Sequence, residues 1–164
     1  MDPIFTNGPT TSHRVLAQLE HDHLINGIVT TNVDYLHELS GNRHVADIWG
    51  NLNTNYCLIC GRTYPIDTLR SALPVCPNDG GLLSPAPIHH HIGIDEVEYH
   101  KANAWMDTAD LVITIGSNGY YDNVPRQAKV VNINPHANYF DRRADLTIHA
   151  PADAVLGQLS DYLK

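Results

Sequence analysis

Short, continuous runs of apolar and β-branched residues recur along the chain, and small or polar residues follow each of them. Continuous apolar runs are typical of strands that are buried on both faces, as in a parallel sheet. The runs lie at residues 28–31, 45–48, 111–115, 130–134 and 146–148. We predict that each of these segments forms a strand.

Apolar residues at helical spacing lie between the predicted strands. Val15, Leu16 and Leu19 share one face of a helix that we predict from Ser12, its N-cap, to about His23. The other predicted helices span residues 35–39, 95–108 and 151 onward. Strands that alternate with helices indicate an α/β fold with a doubly wound parallel sheet.

Residues 52–88 differ in composition from the rest of the chain. They contain all three cysteines, five of the ten prolines and several glycines. Proline and glycine clusters are typical of loops rather than of buried sheet strands. We therefore predict an inserted, loop-rich module at 52–88, and a sheet domain formed by residues 1–51 and 89–164.

The composition is that of a globular protein. With 43% hydrophobic and 17% charged residues, the 164-residue chain can bury the core of one domain. We find no run of about 18 apolar residues and no signal peptide, so we expect neither a membrane span nor secretion. An odd number of cysteines, two of them in a C-x-x-C pair, fits a reducing compartment better than a disulfide framework. We therefore expect a cytoplasmic protein.

The chain is acidic, with a formal net charge of −8. A surface of this sign repels phosphate backbones, so we expect no nucleic-acid partner. It would attract a basic partner such as a lysine-bearing peptide, although solubility alone commonly accounts for an acidic balance.

Polar residues cluster where the first predicted strand ends. Asn32 and Asp34 directly follow the apolar run at 28–31. Ligands of open α/β sheets bind at the carboxyl ends of strands, so these two side chains are candidates for a binding site. Their spacing alone favours a simpler role, in which they cap the helix at 35–39.

The stretch from Thr30 to Cys60 contains, in order, the segments TTNVD, YLH, WGN and CLIC. It resembles the core of the sirtuins, the NAD-dependent protein-lysine deacylases. Their signature is T-Q-N-I-D, then G-L-H, then H-G-N or H-G-S, then a C-x-x-C zinc module. The similarity extends from about Gly8 to the end of the chain, which is thereby identified as a member of this family.

The resemblance implies a Rossmann-like domain and a zinc-binding module, with NAD and an acyl-lysine peptide or protein bound between them. Asn32 and Asp34 match the family's residues that hold the nicotinamide and its ribose. Ser117 matches the serine of a G-T-S turn near the phosphates and ribose, and Asn134 matches an asparagine at the adenosine ribose. These four residues are the expected NAD-binding residues.

From this resemblance we expect a divergent member of the family that is truncated at its N-terminus. The family's first strand and its glycine-rich pyrophosphate loop have no counterpart here. Two alternatives are therefore open. The matched residues still bind NAD, or they are retained only because they form turns and helix caps. The missing strand would leave a gap between 28–31 and 111–115, and folded proteins avoid exposed strand edges. We expect the gap to be closed by direct pairing, by residues 4–6, or by a second subunit of a homo-oligomer.

The family's catalytic histidine has no match. Trp49 stands at its position, and Thr31 replaces the family's glutamine. The histidine deprotonates a ribose hydroxyl, which imidazole can do near neutral pH and indole cannot. His37 and His44 are the nearest replacements in sequence, but His37 matches a structural histidine of the family. We therefore expect no catalytic base and impaired or absent lysine deacylation.

The family's zinc ligands are matched in part. Cys57, Cys60 and Cys76 match three cysteines of the C-x-x-C pairs, and Asp79 stands at the fourth. A carboxylate can ligate zinc, so a Cys₃Asp site is one expectation. The alternative is that packing around aromatic and apolar residues holds these loops without a metal.

Three consecutive histidines occupy residues 89–91, where the family has a strand that clamps the acyl-lysine. His89 and His91 would share one face of a strand and could hold a metal, together with His100. We favour a polar loop or strand edge instead. Either way, the acyl-lysine channel of the family is not recognisable.

Three functional hypotheses follow from these observations. The first is a divergent, NAD-binding sirtuin-family protein that is impaired or inactive as a deacylase. The second is a non-enzymatic binding or assembly module on a sirtuin scaffold. The third is an NAD-consuming enzyme with altered chemistry, such as ADP-ribosyl transfer.

Overall fold

The computed structural model describes residues 6–89 and 93–163 of the chain, in which helices and strands alternate. The helices are α1 (Thr11–His21), α2 (Leu36–Leu39), α3 (Ala86–His89), α4 (Glu96–Asp107) and α5 (Ala152–Tyr162). The strands are β1 (Ile28–Thr30), β2 (Val45–Asp47), β3 (Asn55–Cys57), β4 (Thr63–Tyr64), β5 (Leu83–Pro85), β6 (Leu111–Ile115), β7 (Lys129–Ile133) and β8 (Leu146–Ile148). Short 3-10 helices lie at Ile66–Arg70 and Tyr139–Arg142. None of the described helices has the length and apolar character needed to cross a membrane.

The described strands form three sheets. β1 and β2 pair in parallel, with Ile28 opposite Val45 and Thr30 opposite Asp47. β6, β7 and β8 form a second parallel sheet, in that order. The predicted α/β class with parallel strands is thereby confirmed. Within the segment predicted as an inserted module, β4, β3 and β5 form a small antiparallel sheet.

The two parallel sheets are not joined by hydrogen bonds within the described residues. β1 pairs with β2 and β6 pairs with β7, so the expected direct pairing of the strands at 28–31 and 111–115 is wrong. Each sheet packs on its own helices, which cover the faces of the sheets and not their edges, so the facing edges of β1 and β6 have no strand partner among the described residues. Residues 4 and 5 of the proposed arm lie outside the described part of the chain, and Thr6 is helical rather than extended.

Helices α1 and α5 cover one face of the sheet formed by β6, β7 and β8. The buried residues of this layer are Val15, Leu19, Ile133 and Leu156. Thr10, and not the predicted Ser12, is the N-cap of α1. Ser12 lies in the first turn, where its backbone N–H and its hydroxyl donate to Asp153 of α5. The helices are therefore joined by hydrogen bonds as well as by packing.

Helix α4 covers the sheet formed by β1 and β2. Ala102 is fully buried there, and the ring of Trp105 lies against Gly27, which precedes β1. Val97 and Ala104, two further apolar residues of this helix, are exposed. The face of α4 that includes Ala102 and Trp105 meets the sheet, and residues spaced three or four apart share that face.

Candidate functional site

A cleft of about 520 Å³ opens at the carboxyl ends of β1 and β2. Its walls are formed by Thr31, Asn32, Val33, Asp34, Trp49, Pro87 and Ile88. The first four follow β1, Trp49 follows β2, and the last two belong to α3. Two of the predicted NAD-binding residues and the residue at the family's histidine position therefore line one cleft.

Backbone hydrogen bonds fix the loop that carries Asn32 and Asp34. The hydroxyl of Thr30 accepts the Asn32 N–H at 3.0 Å, and Asp34 Oδ1 accepts the Leu36 N–H at 2.9 Å. Asp34 thus bonds the first residue of α2, although the N-cap position itself is occupied by Tyr35. The exposed Asn32 side chain has no hydrogen-bond partner among the described residues. It is available to a ligand.

Trp49 gives this cleft an aromatic wall. Its ring meets the Tyr120 ring at an angle of 62°, with 5.6 Å between the ring centroids. Trp49 also packs on the buried cluster that contains Ala46 and Ile48. An indole N–H can donate a hydrogen bond but cannot take up a proton at neutral pH. The position therefore offers packing and one donor, and no base.

Ser117 and Asn134 form a second polar pair at the carboxyl ends of β6 and β7. The Asn134 side-chain amide donates to the Ser117 carbonyl at 3.4 Å, and Asn134 Oδ1 accepts the His136 N–H at 3.2 Å. Neither residue lines the cleft that contains Asn32. The contact between Tyr120 and Trp49 links the loop after Ser117 to that cleft.

A carboxyl pair behind the cleft was not found from the sequence. The Asn51 side-chain amide donates to Asp47 Oδ2 at 2.8 Å and lies 3.3 Å from Glu38 Oε1. Burial, and then the charge of Asp47, raise the pKa of Glu38 to about 8, and burial also raises the pKa of Asp47. The position of Asp47 at the end of β2 is a signal that could have identified it. The position of Glu38 depends on how α2 packs, which its sequence pattern does not reveal.

A pair of histidine rings, tilted by 53° to each other, joins α1 to α2. The rings of His13 and His37 are 4.7 Å apart, and His37 Nδ1 is buried without a hydrogen-bond partner in the described structure. Burial, and then the nearby His13, lower the pKa of His37 to about 4. A half-buried imidazole whose Nδ1 is shielded from water and whose pKa is lowered in this way suits packing better than proton transfer at neutral pH.

The four predicted metal ligands lie together. One donor atom from each of Cys57, Cys60, Cys76 and Asp79 falls within 4.8 Å of the others. The sulfurs of Cys60 and Cys76 are 3.8 Å apart. Sulfurs that share a tetrahedral zinc at about 2.3 Å lie about 3.8 Å from each other, so the spacing fits a zinc ion.

Backbone N–H groups of the surrounding loops stabilise negative charge on the ligand atoms themselves. The backbone N–H groups of Ile59 and Cys60 each point at Cys57 Sγ from 3.4 Å. The Gly81 N–H, followed by the Cys60 thiol, lowers the pKa of Asp79 to about 2. A Cβ at residue 81 would lie 2.7 Å from Cys57 Sγ, so the loop needs glycine there. The donor set and its surroundings both suit a cation.

The histidine run is only partly described. His89 ends α3 and stacks on Tyr56, with 4.5 Å between the ring centroids. It is therefore neither in a strand nor in a loop. His90 and His91 lie outside the described residues.

The chain is similar to known proteins over most of its length. The sequence model of the Sir2 family matches residues 1–121. The chain is 34% identical to an NAD-dependent protein deacetylase of Cutibacterium acnes, over 86% of this chain and 61% of that protein. It is 31% identical to an NAD-dependent protein deacetylase of Sulfurisphaera tokodaii, over 100% of this chain and 70% of that protein. It thus spans less than two thirds of the length of the first of these relatives.

Solved structures agree with this family. A sirtuin solved in a study of substrate affinity superposes with a TM-score of 0.84 at 25% identity, over 98% of this chain and 71% of that one. A Sir2 structure with a p53 peptide and NAD+ gives a TM-score of 0.79 at 25% identity, over 94% and 70% of the two chains. Together with the Sir2 match over residues 1–121, these similarities show that the chain belongs to the sirtuin family of NAD-dependent protein deacylases.

Proposed function

We propose that this chain binds NAD with the polar residues at the carboxyl ends of its strands and is impaired or inactive in lysine deacylation. The observation that carries the proposal is the position of Trp49. Its indole forms a wall of the cleft that Asn32 and Asp34 line, where the resemblance calls for an imidazole.

The loss of the base limits the rate. Proton transfer by a positioned side chain contributes about 10²–10⁴-fold to a reaction that needs it. Asp34, the carboxylate that lines the cleft, is engaged by the Leu36 N–H. Glu38 and Asp47 lie behind the cleft and are not among its lining residues. No described residue of the cleft therefore replaces the imidazole.

Binding of the dinucleotide rests on two pairs of side chains. Asn32 and Asp34 would hold the nicotinamide ribose end, and Ser117 and Asn134 the adenosine end. A Sir2 structure that contains NAD+ has the same fold as this chain, which supports this placement. Related Sir2 structures also contain an acetylated peptide. A basic, acylated peptide is thus the second ligand that we propose for this acidic chain.

We also propose that Cys57, Cys60, Cys76 and Asp79 hold a structural zinc ion. A bound zinc would supply a cross-link between loops that otherwise share a small core. The buried side chains of that core include Cys57, Cys76 and Leu83. A carboxylate ligand in place of a thiolate makes this site harder and less selective for soft metals than a Cys₄ site.

Isothermal titration with NAD tests the proposed binding. We expect heat of binding for the wild type, and about tenfold weaker binding for Asn32→Ala through the loss of a hydrogen bond to the ligand. Asn78→Ala is a matched control, because Asn78 lies in the segment of the metal ligands. No heat with NAD would refute the proposal and favour a binding module. Rapid nicotinamide release with an acetylated peptide would refute the inactivity.

An assembly role is a second candidate, supported by the sheet edges. β1 and β6 each have one strand neighbour among the described strands, so each has an edge without a partner. Such edges pair readily with another chain. Light scattering after size exclusion would show a dimer if a second copy closes the gap, and a monomer at all concentrations if none does.

A further inference from the structure

A second cavity lies on the face of the β6–β7–β8 sheet that α1 and α5 leave uncovered. Alternate residues of β7 point to opposite faces, so Ile133 meets the helices while Asn132 points away. The Asn132 side-chain amide donates to Asn138 Oδ1 at 3.1 Å and to Asp141 Oδ1 at 2.7 Å. These bonds hold the 3-10 helix Tyr139–Arg142 over this face.

The cavity, of about 420 Å³, lies between this 3-10 helix and the segment 116–128 that connects β6 to β7. It is lined by Asp122, Val124, Asn138, Tyr139, Arg142 and Arg143, with Phe140 at its base. Cavities of roughly 300–1,000 Å³ are of the size that binds small molecules. None of these residues lines the cleft at Asn32 or belongs to the proposed NAD-binding pairs.

The ring of Tyr139 is held in place. Its hydroxyl donates to Asp122 Oδ2 at 2.7 Å, and its ring lies edge-on to Phe140 with centroids 5.2 Å apart. Gly119 packs against the ring so closely that a Cβ there would come within 2.6 Å of it. Because the Tyr139 side chain is already held in place, little conformational entropy is lost when a flat ligand packs on its ring.

The charge of the cavity is opposite to that of the chain. Two arginines and one aspartate line the cavity, whereas the whole chain carries a net charge of −8. Asp122 is already bound by the Tyr139 hydroxyl, and Arg143 donates to the Pro125 carbonyl at 2.6 Å. Arg142 is exposed and forms no hydrogen bond or ion pair with any described residue, so its planar fork is free for a ligand.

We propose that this cavity binds a small anionic ligand whose phosphate or carboxylate group pairs with Arg142 and Arg143 and whose flat ring packs on Tyr139. Guanidinium groups bind both kinds of anion in a bidentate manner, so the shared chemistry is an aromatic anion. The site is separate from the NAD site and goes beyond the function proposed above.

A ¹H–¹⁵N NMR titration of the intact chain with phenyl phosphate, benzoate and uncharged phenol tests this site. We expect phenyl phosphate or benzoate to shift the amide signals of residues 119–124 and 138–143, with weaker effects at higher ionic strength. Phenol should bind at least about tenfold more weakly, because it lacks the charge-assisted hydrogen bonds. Whichever of phenyl phosphate and benzoate binds more tightly shows whether the site prefers a phosphate or a carboxylate.

Two variants make the test specific. Arg142→Gln should weaken binding about tenfold or more, and it leaves the fold intact because Arg142 holds no other described residue. Arg126→Gln, which changes an exposed arginine of the 116–128 segment that does not line the cavity, should bind like the wild type. Absent shifts, equal binding of phenol, shifts confined to the region of Asn32 and Ser117, or unchanged binding by Arg142→Gln would each overturn the proposal.

Discussion

Glu38 and Asp47 approach the same side-chain amide, that of Asn51, behind the cleft of the candidate site. Oε2 of Glu38 is buried without a hydrogen-bond partner within the described structure, so ionising this group is costly. Two carboxyl groups this close do not both ionise readily, and one of them holds a proton at neutral pH. The charges of Asp34, Glu98 and Lys101 also act on the pair.

This pair predicts a loss of stability with rising pH. The pKa of Glu38 rises from 4.5 to about 8 on folding through burial and the charge of Asp47, so the folded chain binds the proton more tightly. The stabilisation is complete below 4.5 and is lost as the pH approaches 8. Thermal unfolding should show the melting temperature falling by about 10 °C across this window, since each pKa unit is worth about 1.4 kcal/mol and each kcal/mol about 2–4 °C. Glu38→Gln should reduce this pH dependence of the melting temperature, whereas Glu96→Gln, at an exposed glutamate, should leave it unchanged. Equal pH dependence in the wild type and both variants would contradict the assignment of the raised pKa to Glu38.

The histidine pair predicts the opposite trend at acidic pH. Burial lowers the pKa of His37 from 6.5 to about 4, so its contribution to stability is present above 6.5 and lost as the pH falls toward 4. NMR titration of the imidazole signals should give His37 a midpoint near 4. A midpoint at or above the ordinary 6.5 would mean that the His37 ring is solvated and that its contact with the His13 ring is not maintained.

The metal cluster predicts how zinc affinity depends on residue 79. Asp79→Cys should bind zinc more tightly than the wild type, because a fourth thiolate replaces a carboxylate. Cys76→Ser removes a ligand, so its zinc affinity should fall by more than the roughly 10–100-fold that is typical when a residue behind the ligands is changed. Competition with a chelating dye measures both, and Asp67→Cys controls for an added thiol outside the cluster. Equal zinc binding by the wild type and Cys76→Ser would argue for loops held by packing alone.

The contact between Gly27 and Trp105 predicts a strong effect of one methyl group. A Cβ at residue 27 would lie 2.8 Å from the Trp105 ring, which packs α4 against the sheet. Gly27→Ala should therefore destabilise the chain by roughly 1–3 kcal/mol in urea unfolding. Gly157→Ala in α5, where the nearest atom would be 3.7 Å away, should be neutral or stabilising. Similar stabilities of the two variants would contradict the described packing.

Much of the architecture was predictable because apolar runs report burial directly. The strands from Ile28, Val45, Leu111 and Leu146 begin as predicted, and the strand predicted from 130 begins at Lys129. The helix cap was misplaced, since Thr10 and Ser12 are both good caps and both donate to Asp153, and only the extended backbone of Thr10 shows which of them precedes the helix. The separation of the two parallel sheets depends on which helices cover each of them, which no local pattern encodes.

The candidate site was predictable only where a motif marks it. Asn32 and Trp49 follow strands in a recognisable order, and they line the same cleft. Glu38 and Arg142 carry no such mark. A glutamate in a short helix or an arginine in a turn is common on any surface, and only the folded chain places the first behind a cleft and the second in a cavity.

Replacement of Trp49 by histidine tests the central claim most directly. Mass spectrometry of an acetyl-lysine peptide incubated with NAD compares the wild type, Trp49→His and Trp49→Phe, the last of which removes the indole without adding a base. We predict that Trp49→His forms deacetylated product at least about a hundredfold faster than the other two, because a positioned base is restored. Wild-type deacetylation as fast as that of Trp49→His, or equal absence of product in all three, would contradict the account.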